Sequence, residues 1–204
     1  MMEQARGFDI NSLVKRLKRL ATLDTSVFDE VRADATSTIP ALVIVAVSVF
    51  ATGIGGWLWY QFQDPHYKAG SVFIKSALLG SIIGALLWFA WVGVTYVLLS
   101  QVFRARADIN ELIRVMGFAM APLALGILQF VPALDMGIAL VALALTFGAT
   151  QIAIQTATDA PAGRVLVANA GGFAVWALIL TLFSNSNIIY DRLAPGIFLF
   201  NPYS

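Results

Sequence analysis

Five long stretches of this chain carry no charge, and no other feature limits its fold so tightly. Uncharged runs of 29, 28, 20, 23 and 26 residues separate Asp34 from Asp64, Lys75 from Arg104, Arg114 from Asp135, Asp135 from Asp159, and Arg164 from Asp191. A membrane-crossing helix takes about 20 mainly apolar residues. Each run is therefore long enough to cross once, and none is long enough to cross twice with a turn. Five spanning helices are predicted, near residues 38–60, 74–102, 112–131, 134–157 and 164–184, the second long enough to tilt or to project past the bilayer. A soluble domain of 204 residues could not hide a chain that is 59% hydrophobic and 12% charged. The expected fold is all-α: a polytopic bundle of five transmembrane helices over 38–184, an amphipathic N-terminal segment over 1–37 and a tail over 185–204.

An odd number of crossings puts the two termini on opposite sides. One side receives Arg6, Lys15, Arg16, Lys18, Arg19, Arg32, Arg104, Arg106, Arg114 and Arg164; the other receives Lys68, Lys75 and Arg192. Ten cations against three predict a cytoplasmic N-terminus and an outer C-terminus. Residues 1–37 hold six acidic and six basic residues and no apolar core of a secretory signal. Within them Ile10, Leu13, Val14, Leu17 and Leu20 fall on one helical face, opposite Lys15, Arg16, Lys18 and Arg19. Such a helix is expected to lie on the anionic leaflet, with Leu13, Arg16, Leu17 and Arg19 as its membrane-surface or partner contacts; the alternative is that it packs on the protein's own loops. A second short amphipathic piece, Ser26 to Val31, leads into the first span.

Small residues recur every four positions within the spans: Ser76, Gly80 and Gly84 in the second, Gly117 and Ala121 in the third, Ala149, Ala153 and Ala157 in the fourth. Such faces let helix backbones approach closely where lipid offers no hydrophobic drive for association. Packing inside the bundle is the expected use, with a homo-oligomer interface as the other. Pro122 removes a backbone donor in the middle of the third span and predicts a kink, and Pro132 follows that span's end. Asp135 is expected to cap the fourth helix, and Arg114 to snorkel to the headgroups. Trp57, Trp59 and Tyr60, with tail aromatics such as Tyr190, suit an outer aromatic belt, whereas Trp88 and Trp91 lie mid-span and suit packing.

Much chemistry is excluded by what is missing. With no cysteine and one histidine, His66 in the first outer loop, the chain offers no thiolate and no multi-histidine metal site. No span holds a carboxylate pair, and Gly171-Gly172 lacks the following Lys-Ser or Lys-Thr of a phosphate loop. A net charge of +1 argues against a nucleic-acid partner. No catalytic, cofactor-binding or metal residue is expected, and the chain is read as not an enzyme.

The run Gly117-Phe118-Ala119-Met120-Ala121-Pro122 resembles the Gly-Tyr pair and spaced proline of the Yip/YIPF family, the Ypt/Rab-GTPase-interacting membrane proteins, with phenylalanine in place of tyrosine. Val131-Pro132 opens the next hairpin as in the family's bacterial branch, and Phe28-Asp29-Glu30-Val31-Arg32 leading to Pro40-Ala41-Leu42 is similar too. The resemblance covers residues 20–184. It implies a five-helix, non-enzymatic membrane protein that acts through partners or lipids, and carries over no catalytic residue. The eukaryotic members' Asp-Leu-Tyr-Gly-Pro motif is absent, so small-GTPase binding is not carried over with it. The leading expectation is a membrane scaffold or adaptor, or an accessory subunit of a larger complex, working with membrane lipids and a protein partner or second copy. The alternative is a small transporter, channel or lipid-handling protein with a cavity beside Pro122, lined by some of Gln129, Asp135, Thr146, Thr150, Gln151 and Asn169.

Overall fold

The computed structural model describes residues 9–63, 70, 73–131 and 133–185. Two short helices, α1 (Ile10–Ala21) and α2 (Ser26–Ala33), precede the membrane bundle. Asp9 opens α1, its carboxylate accepting the backbone N–H groups of Asn11 (3.0 Å) and Ser12 (3.3 Å). The five spans then follow as α3 (Thr38–Gln63), a second span running Phe73–Val102 around α4 (Ser81–Val97), a third running Ile109–Phe130 from α5 (Ile109–Ala119), α6 (Asp135–Thr156) and α7 (Ala162–Asn185). All five are long and apolar enough to cross a membrane. Outward-facing leucines, valines and isoleucines on every span leave an apolar belt for lipid.

Two spans depart from the α-helix. The second opens as π-helix over Phe73–Gly80 and closes as π-helix over Leu98–Val102. The third does not kink as an α-helix at Pro122: it changes type, continuing as a 3₁₀ helix over Ala121–Phe130. The backbone N–H that proline lacks would have closed an α-turn. Around it Met120 N–H reaches Gly117 O (3.2 Å) and Leu123 N–H reaches Met120 O (3.0 Å), both tighter three-residue bonds. At about 2 Å per residue against 1.5 Å, the switch lengthens the third span by roughly 5 Å. Pro132 lies outside the described residues, as do His66 and the tail beyond Asn185.

Glycine sets how closely the spans meet. A Cβ on Gly55 would lie 2.2 Å from Gly126 O, and one on Gly53 would lie 2.7 Å from Ser76 O, so α3 touches the second and third spans backbone to backbone. Gly117 lies against Ala41, where a Cβ would come within 2.7 Å of the alanine's own. The Ser76, Gly80 and Gly84 face is buried within the bundle. Ser76 donates its hydroxyl to Gly53 O (3.0 Å), and Gly84 O accepts the indole N–H of Trp176 (3.2 Å).

Candidate functional site

The charged residues gather at the end of the bundle where α1 and α2 sit. Val27, Phe28 and Val31 of α2 are buried in the core, which fixes this helix on the bundle. Leu13, Leu17 and Leu20 turn the apolar stripe of α1 onto the same core. Arg16 donates to Asp34 Oδ2 (3.0 Å) and to Ser37 Oγ (2.8 Å), while Arg19 donates to Asp24 Oδ2 (2.8 Å), Glu30 Oε1 (2.5 Å) and Ser26 Oγ (2.8 Å). Leu13, Arg16, Leu17 and Arg19 thus hold α1 to the protein as it stands here, the own-surface alternative to lying on lipid. Partial burial pushes the Asp34 carboxyl up, but hydrogen bonds from Thr36, Ser37 and Arg16 outweigh this and bring its pKa down to about 2. Ser26 first, then Arg19, lowers the Asp24 carboxyl.

The four cations of α1 are therefore divided. The two arginines are spent on carboxylates; Lys15 and Lys18 are exposed and pair with no carboxylate among the described residues. At 100° per residue the two lysines, with Asn11 and Thr22, centre on the side opposite the leucine stripe. Together with Val14 and Arg19 they line an open groove of about 510 Å³.

Beneath this unit, arginines close helix C-termini. Arg114 does not snorkel: it is 9% exposed, and its guanidinium donates to Val31 O (3.1 Å) and Arg32 O (2.6 Å) at the end of α2. Carbonyls left over at a helix end carry negative partial charge, so a buried cation is well placed there. Arg32 in turn donates to Thr156 O at the end of α6. The loops joining the second to the third span and α6 to α7 are clipped by an antiparallel bridge between Ala107 and Thr158. Arg106 N–H donates to Asp159 Oδ1 (2.8 Å), and Thr158 Oγ1 to Arg106 O (2.7 Å).

The polar residues of the spans do not converge on one place. Asn169 accepts the Trp91 indole N–H (3.1 Å) and donates to Thr150 Oγ1 (3.1 Å), with Gln151 Oε1 at 3.5 Å. Gln129 donates to Thr52 O (3.0 Å) elsewhere, and Thr146 bonds its own helix at Ala142 O (2.7 Å). Asp135 is not the cap expected of it: Leu134 holds that position, and Asp135, in the first turn of α6, accepts the Trp59 indole N–H (3.1 Å). A carboxylate one residue inside the helix still faces its positive end.

A family model for the Yip1 domain matches residues 21–185. The chain belongs to the Yip1 family. No curated protein and no solved structure matches it. The Yip domain begins at Ala21, the last residue of α1, so the lysine-bearing helix lies ahead of the matched region while α2 and all five spans lie within it. In the Gly117–Pro122 run, Gly117 makes the close contact with Ala41, Phe118 is fully buried, and Pro122 stands where helix type changes. Sequence reasoning missed the capping roles of Arg32 and Arg114. The available signal was an arginine inside the first turns of an apolar span, where a buried carbonyl partner competes with snorkelling.

Proposed function

We propose that this Yip family member is a non-enzymatic membrane scaffold or adaptor, embedded in a bacterial cytoplasmic membrane with its N-terminus in the cytoplasm. Its partner is a protein with an acidic surface, docked on the outer face of α1. One observation carries this reading: α1 is fixed to the body by its leucines and arginines, while Lys15 and Lys18 are turned away from it without carboxylate partners among the described residues. A rigid helix that presents unpaired cations steers and orients an acidic partner at little cost in ordering. The ten-to-three distribution of basic residues supports the orientation, and Yip family membership supports a role without catalysis. The reading does not extend to small GTPases, because the Asp-Leu-Tyr-Gly-Pro motif of the eukaryotic members is absent here.

The test is purification from native membranes in mild detergent, with stoichiometric partners identified by mass spectrometry, for wild type and Lys15→Glu/Lys18→Glu side by side. The reading expects a protein partner that the double variant loses while it remains monodisperse. A partner retained equally by both would remove α1 as the docking face.

A further inference from the structure

We propose that Arg104 and Arg164 hold the phosphate of an anionic phospholipid at the basic end of the second and fifth spans. Arg104 stands in a left-handed backbone conformation, with φ of 52°. It follows the π-helical end of the second span, where Phe103 N–H returns to Leu98 O (2.9 Å) and Ala105 N–H to Leu99 O (2.9 Å). Helices that end through such a residue usually place glycine or asparagine there, because a Cβ is disfavoured in this region. Here the position carries an exposed guanidinium that makes no hydrogen bond or ion pair among the described residues. Leu23 and Ala133 share this backbone conformation; what sets Arg104 apart is an exposed cation at the end of a membrane span that serves nothing within the described fold, which points to a use outside it.

The second arginine is held against Phe103, the residue that precedes Arg104. Arg164, in the first turn of α7, lies over the Phe103 ring at 5.9 Å from its centroid and donates to Phe103 O (3.4 Å), leaving other donors of its fork free. The Ala107–Thr158 bridge and the Arg106–Asp159 bond fix the backbones of the two loops that carry these arginines against each other. Neighbouring carboxylates are engaged elsewhere. Asp108 accepts the N–H groups of Asn110 (2.8 Å) and Glu111 (2.9 Å), Asp159 accepts Arg106 N–H, and Glu111 lies 3.6 Å from the Arg106 guanidinium. Both arginines sit at the ends of membrane spans, where phosphates of the leaflet lie, and exposed Val97, Val102 and Val167 on the same two spans offer apolar surface for acyl chains. That surface favours a lipid over free phosphate as the anion's source. Basic clusters between spans are a recognised mode of binding anionic headgroups.

Native mass spectrometry of the full chain in mild detergent, titrated with phosphatidylglycerol or with phosphatidylcholine of the same acyl chains, tests this. Wild type should retain phosphatidylglycerol preferentially. Arg104→Gly and Arg164→Gln should each weaken that retention about fivefold, the effect of one cation near an anionic headgroup, without altering phosphatidylcholine binding. Arg104→Gly supplies the residue the backbone prefers, so its thermal stability in lipid-free detergent should equal or exceed wild type, which separates lost binding from lost folding. Arg106→Gln, whose guanidinium leans on Glu111, should stay within about twofold of wild type. Unchanged phosphatidylglycerol retention in both Arg104 and Arg164 variants would overturn the site, as would equal retention of the two lipids. Displacement by millimolar inorganic phosphate would assign the arginines to a free anion and overturn the lipid.

Discussion

At the basic end, Arg32 and Arg114 reach across to the carbonyls that end α6 and α2, and Arg16 and Arg19 tie α1 to carboxylates. In the opposite half, Gly53 and Gly55 bring α3 against the backbones of the second and third spans, and the neighbouring segments are π-helix and 3₁₀ helix. The first region is held by long polar side chains at the membrane surface, the second by shape inside the apolar layer. Water competes for the exposed hydrogen bonds that tie down α1, so each of those contributes little alone, whereas the buried Arg114 guanidinium is shielded from it and contributes more. Lipid competes for none, so close backbone approach suffices and a single added methyl is felt.

The largest effect expected from that contrast is at Gly55. Gly55→Ala should lower stability by about 2–3 kcal/mol, because its Cβ would meet Gly126 O and neither backbone can step aside. Gly93→Ala, where nothing lies within 4 Å, should be neutral or slightly stabilising. Unfolding by dodecyl sulfate titration in mixed micelles compares them, and equal values would remove the distinction between the two halves. Next is Arg114→Gln, expected to cost roughly 2 kcal/mol by stranding the carbonyls of Val31 and Arg32; it should release α2 to hydrogen exchange before the spans. Asn169→Leu should cost about 1 kcal/mol, the scale of hydrogen bonds between membrane helices, and shift the emission of the buried Trp91.

The smallest effect is at the α1 docking pairs. Arg16→Gln should leave global unfolding within about 1 kcal/mol of wild type, while amide exchange over Leu13–Leu20 rises. The pH dependence of that exchange follows from Asp34. Its carboxyl is held near 2 in the folded chain, below the ordinary 3.8, so its contribution is fully present above that ordinary value and is lost as pH falls toward 2. Protection of α1 should therefore be constant from pH 8 to about 5 and decline below about 4. A decline centred near neutrality would place the controlling group elsewhere.

The spans were legible because charge is expensive in lipid: the uncharged runs mark all five to within a few residues. The amphipathic face of α1 was legible too, since its leucines recur at helical spacing; what they pack on is a tertiary fact that periodicity does not carry. Pro122 announced a break but not its form: the segment continues as a tighter helix with Gly126 packed against Thr52, a contact that residue types nearby do not reveal. Arg114 and Asp135 sat at predicted helix ends, yet their partners came from α2 and from α3, far away in sequence. Arg104 gave no signal, since nothing in its neighbours' residue types demands a positive φ.

The proposed orientation turns the arginine-capped end, with α1 on it, toward the cytoplasm. A chain without cysteine allows single-cysteine variants, and exposed positions such as Thr22 on α1 and Ala133 between the third and fourth spans lie at opposite ends. A membrane-impermeant maleimide applied to intact spheroplasts should label Ala133→Cys at once and Thr22→Cys only after permeabilisation. Labelling of Thr22→Cys in intact spheroplasts, with Ala133→Cys protected, would place α1 outside the cell and overturn the orientation.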